Sequence, residues 1–286
     1  MKTNKEKVVI QSVQGSIHHP TMKNNGYWVG YDGKGRISVS TGGITYNYKI
    51  GDTCMDVPGD HVEPGVSLKN SNDSENTALQ ALACIGNEAK VISGDAKGHT
   101  GFVTGKHGGV DHVMIYFDEE TLALLNVNDR IAIKAYGQGL ALLDHPDIFV
   151  MNIDPCLLEK LGIQEGSDGT LEIPVTTIVP AHLMGSGVGS TTMMGGDYDI
   201  MTQDHDANAQ YHLDDLRFGD LVFIEDHDNF NGPHYRKGAC SVGIIAHSDS
   251  FTSGHGPGVT IIMTSHDKQL KPRLDKQANL ADILLK

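Results

Sequence analysis

The sequence predicts a mostly β protein of two β-rich halves, each barrel- or sandwich-like, with a few short helices. Three observations carry that expectation. Short, β-branched or alternating segments bounded by Gly, Asn or Asp recur along the chain: RISVSTGGITYNYKI, KVISG, GFVTG, DHVMIYF, RIAIKAYG, TLEIPVTTIVP, DLVFIED, CSVGIIAHS and VTIIMTS. A hydrophobic residue, a turn and an aspartate lead into a strand in KIGDT, NVNDRIAIK and RFGDLVFIE, as in small barrels where a sharp turn redirects the chain. Helical signals are few, and they do not alternate with the strands as in a parallel α/β sheet.

The helices are justified in order. TALQALA follows the polar NSNDSEN, and DEETLALL carries acids in its first turn. In DPCLLEKLG, Asp154 is the cap, Pro155 takes the first helical position and Gly162 is the stop. This helix and the Gly/Ser/Asp linker after it, near residues 154–169, divide the chain into halves 1–153 and 170–286. The terminal DKQANLADILLK places Leu280, Ile283 and Leu284 on one stripe. No repeat period is present, which disfavours a propeller or solenoid.

Composition excludes several classes. With 286 residues, 39 % hydrophobic and 20 % charged, the chain can bury a sizeable core. A formal charge of −14 argues against nucleic acid as a partner, because phosphate binding needs a basic surface. No run approaches the roughly 18 apolar residues of a membrane helix, and MKTNKEKVVIQSV has no signal-peptide core. The four cysteines are scattered without a CxxC pair, which predicts reduced thiols in the cytoplasm. Cys156, in a first helical turn where the dipole lowers a thiol pKa, is expected to be a buried or half-buried structural thiol.

The fifteen histidines often stand beside Asp, Glu or Gly, and imidazole next to carboxylate is how metal and acid–base sites are built. Four segments concentrate them. GDHVEPGVS packs Asp60, His61 and Glu63 on a Pro-Gly turn, a source of a ligand or base, or merely a solvated turn. SGDAKGHTGFVTGKHGGVDHVMIYF, residues 93–117, places Lys106 and His107 beside the permissive Gly108 and Gly109. On its second strand His112 lies opposite the apolar Val113, Ile115 and Phe117, facing a pocket or, more often in such strands, water.

The third segment runs from VPAHLMGSGVGS through GGDYDI to DHDAN, residues 179–208. Its glycines lack the following helix of a dinucleotide loop and the GKS/GKT of a Walker loop. Asp197 and Asp199 share one face if extended. Asp204, Asp206 and Asn208 have the spacing of half an EF-hand, with the later positions wrong, so an exposed acidic loop is equally expected. The fourth segment, IEDHDNFNGPHYRKGACSVGIIAHSDSFTSGHGPGV, puts about a dozen residues between two strands, where a hairpin needs two to five. Its HSD spacing predicts His247 and Asp249 on one side of an extended chain.

Two resemblances follow from these motifs. GDHVEPGVS, ACIGNEAKVISGDAKG, VTGKHGG, VPAHLMGSGVG, GDYDI and HSDSFTSGHGPGV resemble a bacterial and archaeal family of unknown function, over nearly the whole chain. That likeness implies membership and no activity. The second half is remotely similar to the acetamidase/formamidase family in layout. GGDYD, FGDLVFIED and HSDSFTSGHGPG follow in the order of that family's GG-N-x-D, strand-entry and Gly-Asp-x-His segments. Asp197 stands where that family has Asn, and Pro257 occupies the stretch where it keeps an acid, which puts transfer of its mechanism in doubt. The opening half of residues 93–117 also resembles the KOW motif of small SH3-like barrels, though from Lys90 to Glu120 three lysines face five acids.

The leading expectation is a metal-dependent, amidase-like hydrolase of a small polar metabolite. Asp197, Asp199, His247, Asp249 and His255 would bind a divalent metal ion: Zn²⁺, Mn²⁺ or Fe²⁺ for a mixed set, Mg²⁺ if oxygen dominates. His107, His61 and Glu63 would carry protons. Asp60, Lys106, Gly108, Gly109, His112 and Gly256 would contact the substrate. The expected partners are a small molecule and further copies of the chain, with no membrane. The alternatives are an SH3-like module contacting RNA or a protein, and a structural homo-oligomer without catalysis.

Overall fold

The computed structural model describes residues 1–22, 26–37 and 41–286. Along Arg130–Tyr136, Ile131, Ile133 and Ala135 are buried while Arg130 and Lys134 face solvent, the alternation of a strand with one face on a core. The first half holds β1 (Ile10–Ile17), β2 (Tyr27–Val29), β3 (Gly35–Ile37), β4 (Ile44–Thr45) and β5 (Gly65–Lys69), then β6 (Glu88–Val91), β7 (Thr100–His107), β8 (His112–Tyr116) and β9 (Arg130–Tyr136). Six of them run β1-β9-β6-β7-β8-β5, and Ile17 opposite Leu68 joins β5 back to β1. The result is a closed antiparallel barrel, which has no free edge.

Its interior is Val13, Ile17, Val66, Leu68, Val103, Val113, Ile115, Ile131 and Ile133. Helix α1 (Asp73–Leu82) packs Leu79 against β1 at Gly15, where a Cβ would lie 2.9 Å from Leu79 Cδ2. Residues 93–117, whose opening half is KOW-like, supply the β7–β8 hairpin of this barrel. RISVSTGGITYNYKI becomes β3 and β4, with residues 38–40 outside the described residues.

The second half adds β10 (Ile148–Val150), β11 (Gln164–Glu165), β12 (Leu171–Val175), β13 (Thr177–Val179) and β14 (Tyr198–Asp199), then β15 (Leu221–Asp228), β16 (His234–His247), β17 (Gly258–Ser265) and β18 (Leu270–Leu274). The main sheet runs β10-β17-β16-β15-β13, with β14 also on β17. All of β17 is buried, because Val259 and Ile261 enter one core while Ile262 and Met263 enter the other. That double burial explains the unbroken apolar run of VTIIMTS.

The predicted helix signals act as caps. Asp154 accepts from Cys156 N at the start of α3 (Pro155–Leu158), Asp118 caps α2 (Glu119–Leu124), and Gly162 sits at φ +69°. Two expectations are corrected. DHDAN is not a loop: Asp204 and Asp206 are exposed as expected, but Asp204 accepts from Asp206 N and Ala207 N and starts helix α4 (His205–Tyr211). Cys156 is exposed, and residual burial together with Asp154 raises its thiol pKa, where the helix dipole was expected to lower it. The other three cysteines are buried, and all four are free thiols. No helix among the described residues is long and apolar enough to cross a membrane.

Candidate metal centre

The barrel meets the second sheet along β7. Lys106 N donates to Thr260 Oγ1 at 3.0 Å, and Gly105 lies against Ala246, which a Cβ there would approach to 2.8 Å. Register breaks face each other at this seam, between Val103 and Gly105 on β7 and between Ile245 and His247 on β16. Such bulges re-aim the side chains that follow, here His107 and His247, whose rings stand 4.1 Å apart.

The GDHVEPGVS turn is fixed on the same seam. His61 adopts φ +52°, so the chain doubles back and Asp60, His61 and Glu63 point in different directions. Asp60 Oδ1 accepts from Ser250 Oγ at 2.6 Å, and His61 Nδ1–H donates to Asp60 Oδ2 at 3.0 Å. Glu63, only 2 % exposed, accepts from His107 Nδ1 at 2.5 Å, from His112 Nδ1 at 2.9 Å and from Ser67. Burial alone would raise the Glu63 carboxyl, but the two imidazoles hold it well below the usual carboxylate range. Burial and the neighbouring His247 lower the His107 pKa, against the pull of Glu63.

The carboxylates come from the other half. Tyr198 is an anchor at 0 % exposure, its hydroxyl accepting from Asn229 Nδ2. Strand alternation turns Asp197 and Asp199 to the face opposite Tyr198. His247 Nε2 lies 2.8 Å from Asp197 Oδ2 and 3.6 Å from Asp199 Oδ1. On the far side of Asp199, Oδ2 is 3.0 Å from His255 Nδ1 and 3.5 Å from His61 Nε2. Burial would lower the His247 imidazolium, but Asp197 and Asp199 hold it well above the usual value. Asp199 is held well below its own range, burial notwithstanding, by His247, His255 and His61.

Asp197 Oδ2, Asp199 Oδ2 and His247 Nε2 are buried and lie in ion-pair range of one another or of His255 and His61, without the geometry of a hydrogen bond. Buried polar atoms that lack a well-aligned hydrogen bond are rare in folded proteins. Two sets of side chains, Asp197–Asp199–His247 and His61–Asp199–His255, each place their donor atoms within 4.8 Å of one another and can hold a metal ion. Above them opens a cavity of about 510 Å³, walled by His61, His107, Gly108, Gly109, Ser186, Gly187, Trp28 and Met22 among others.

The N-terminal domain of unknown function DUF4438 matches residues 27–159, and the C-terminal DUF4438 domain matches residues 160–284. The chain belongs to the DUF4438 family. A solved structure, the crystal structure of TM1086, is 50 % identical over 99 % of this chain and 98 % of that one, with a TM-score of 0.94. No curated protein matches, so the acetamidase/formamidase layout remains a likeness of sequence segments.

The site of this DUF4438 chain gathers most of the expected residues. Asp60, His61, His107, Gly108, Gly109, Asp197, Asp199 and His255 line the cavity, while Glu63 and His247 stand just behind. Gly108 N donates to Asp197 Oδ1 at 2.7 Å. Four candidates lie elsewhere. Asp249 does not share a side with His247, because β16 stops at His247 and the chain turns; its carboxylate accepts from Thr202 and Ser250 N. His112 faces neither water nor the cavity and is 1 % exposed behind Glu63, with Nε2 3.3 Å from His18 Nδ1. Gly256 packs beneath the carbonyl of Ile200. Lys106 is fully buried, its ammonium donating to Asn152 Oδ1 at 2.7 Å and to the Met194 carbonyl.

Burial pushes the Lys106 ammonium down to about 8, from an ordinary lysine value of 10.5. The unfolded chain therefore binds this proton more tightly, and the folded state is penalised in full below pH 8. Between about pH 8 and 10.5 that penalty fades, so stability rises with pH by about 3 kcal/mol at order of magnitude. Urea unfolding of the wild type and Lys106→Met at pH 8 and 10 checks this. The wild type should gain on the variant as pH rises; a difference that ignores pH would overturn the reading.

Sequence reasoning missed Gly258, Ser248 and Trp28. A Cβ on Gly258 would collide with Asp197 Oδ2 and His247 Nε2, so this glycine makes room for the site. His247 Nδ1–H donates to the Ser248 carbonyl at 2.9 Å. Trp28 borders the cavity and meets the Phe251 ring edge-on at 6.4 Å. Its signal was its being the sole tryptophan of the chain.

Proposed function

We propose that the chain is a metal-dependent hydrolase that cleaves an amide bond of a small polar metabolite. The observation that carries this reading is the buried cluster of Asp197, Asp199 and His247, whose ligand atoms lie within 4.8 Å of one another beside an open cavity. A structural site is closed by protein ligands, whereas a catalytic one keeps a position open to solvent and substrate. A divalent ion held there would lower the pKa of water and polarise a carbonyl.

The protein's own groups supply the rest. Glu63 fixes the His107 tautomer through Nδ1, which leaves Nε2 as the nitrogen that takes up and returns a proton. His61 is held in the same way by Asp60. Gly108 and Gly109 bring backbone to the cavity wall without side chains. The choice of an amide rests on a segment order that remotely resembles that of the acetamidase/formamidase family.

The test is elemental analysis of full-length protein purified without a histidine tag or added metal, with ammonia release measured over a panel of small amides. We expect a bound divalent ion, loss of hydrolysis on chelation and recovery with Zn²⁺ or Mn²⁺. A metal-free protein whose thermal stability ignores Zn²⁺, Mn²⁺ and Mg²⁺ would sink the reading.

A further inference from the structure

Resting on the metal reading above, we propose that the centre holds two divalent ions, bridged by the carboxylate of Asp199. The donor atoms fall into two sets that share only Asp199. Its Oδ1 faces His247, whose Nε2 also meets Asp197 Oδ2; its Oδ2 faces His61 Nε2 and His255 Nδ1. The two oxygens of one carboxylate therefore serve different nitrogen groups.

The spacing fits two coordination spheres. Ligands about 2.0–2.2 Å from an ion stand roughly 3.0–3.5 Å from one another at octahedral or tetrahedral angles. In the second set, His61 Nε2, His255 Nδ1 and Asp199 Oδ2 form a triangle with edges of 3.1, 3.0 and 3.5 Å. In the first set the edges at His247 Nε2 are 2.8 and 3.6 Å. A carboxylate bridge suits the separation of about 3.5–4 Å found in two-metal hydrolytic sites.

The outer ring nitrogens are already engaged. His61 Nδ1 donates to Asp60, and His247 Nδ1 donates to the Ser248 carbonyl, so each turns Nε2 inward, where an ion would take the place of a proton. Acceptors on the outer nitrogen orient histidine ligands in this way. Charge points in the same direction. Asp60, Glu63, Asp197 and Asp199 are all less than 9 % exposed, and their ion-pair partners among the described residues are histidines alone. With the imidazoles neutral, as metal ligands are, one dication offsets half of these four charges and two offset them all. Buried carboxylates without such compensation are costly.

The experiment is titration of metal-stripped, full-length protein with Mn²⁺, followed by equilibrium dialysis, elemental analysis and electron paramagnetic resonance. Two equivalents per chain are expected, with an exchange-coupled spectrum at saturation. His255→Ala should retain one equivalent with the six-line signal of an isolated ion, and Asp199→Asn should lose the coupled signal. Should Asp199→Asn fail to fold by circular dichroism, wild type and the part-exposed His255→Ala decide. Saturation at one equivalent with no coupled spectrum overturns the bridge and leaves the metal reading standing. No binding at all overturns both.

Discussion

Replacing Gly258 with alanine should weaken divalent-ion binding by roughly 10–100-fold while the chain still folds. Gly258 pairs with Asp199 on one side and His247 on the other, so it lies between two of the proposed ligands in the middle of the sheet. Its missing side chain leaves the space into which Asp197 Oδ2 and His247 Nε2 project. An added methyl must displace one or both, because the strand around it is buried and has nowhere to move. The overpacking itself should cost about 1–3 kcal/mol, which a domain of this size survives. Mn²⁺ titration by calorimetry, beside urea unfolding, separates the two effects. Gly109→Ala is the control: a Cβ there meets nothing within 4 Å, so only its φ of +73° is strained, and metal affinity should hold. Unchanged affinity in Gly258→Ala would count against the whole centre.

The second large effect is expected at Glu63. Glu63→Ala should lower unfolding stability by roughly 3–5 kcal/mol, the usual result of removing one side of a buried charged network. Two imidazoles, His107 and His112, and the Ser67 hydroxyl would lose their acceptor inside the barrel wall. Glu63→Gln keeps an acceptor oxygen and should cost less, roughly 1–3 kcal/mol, yet it removes the charge that holds His107. Urea unfolding of both variants measures the order. A Glu63→Ala protein as stable as wild type, within ±0.5 kcal/mol or so, would show that the network contributes nothing.

Much of the architecture was legible because it is local. Alternation in RIAIKAY, the caps at Asp118 and Asp154 and the stop at Gly162 depend on neighbours a few residues away. Asp197 and Asp199 could be placed on one face for the same reason. The parts that escaped depend on distant pairing. His107 and His112 meet Glu63 across 44 and 49 residues of chain only because the barrel closes. Strand β1 escaped as well, since the Gly15 that admits Leu79 of α1 weakens its apolar pattern. Asp249 was misplaced by assuming an extended chain past His247, where the strand ends. DHDAN was read as a ligand pattern, although an aspartate two and three residues ahead of free amides is also a helix cap.

The connection from Ser248 to Pro257 is bonded along most of its length. Ser248 N reaches Val62 O, Asp249 N reaches Cys54 O, His61 N reaches Asp249 O, Tyr31 N reaches Phe251 O and Ser186 N reaches Gly254 O. Ser250 is held by Asp60, and Gly254 N by Gln203. These tethers run to both halves of the molecule at once. The segment is thus a fixed bracket and not a swinging lid: moving it would break bonds on two sides, a local unfolding and not a hinge motion. The cavity wall that carries Thr252 and His255 is therefore a rigid one, whose width is set by bonds from two halves and not by the ligand that enters.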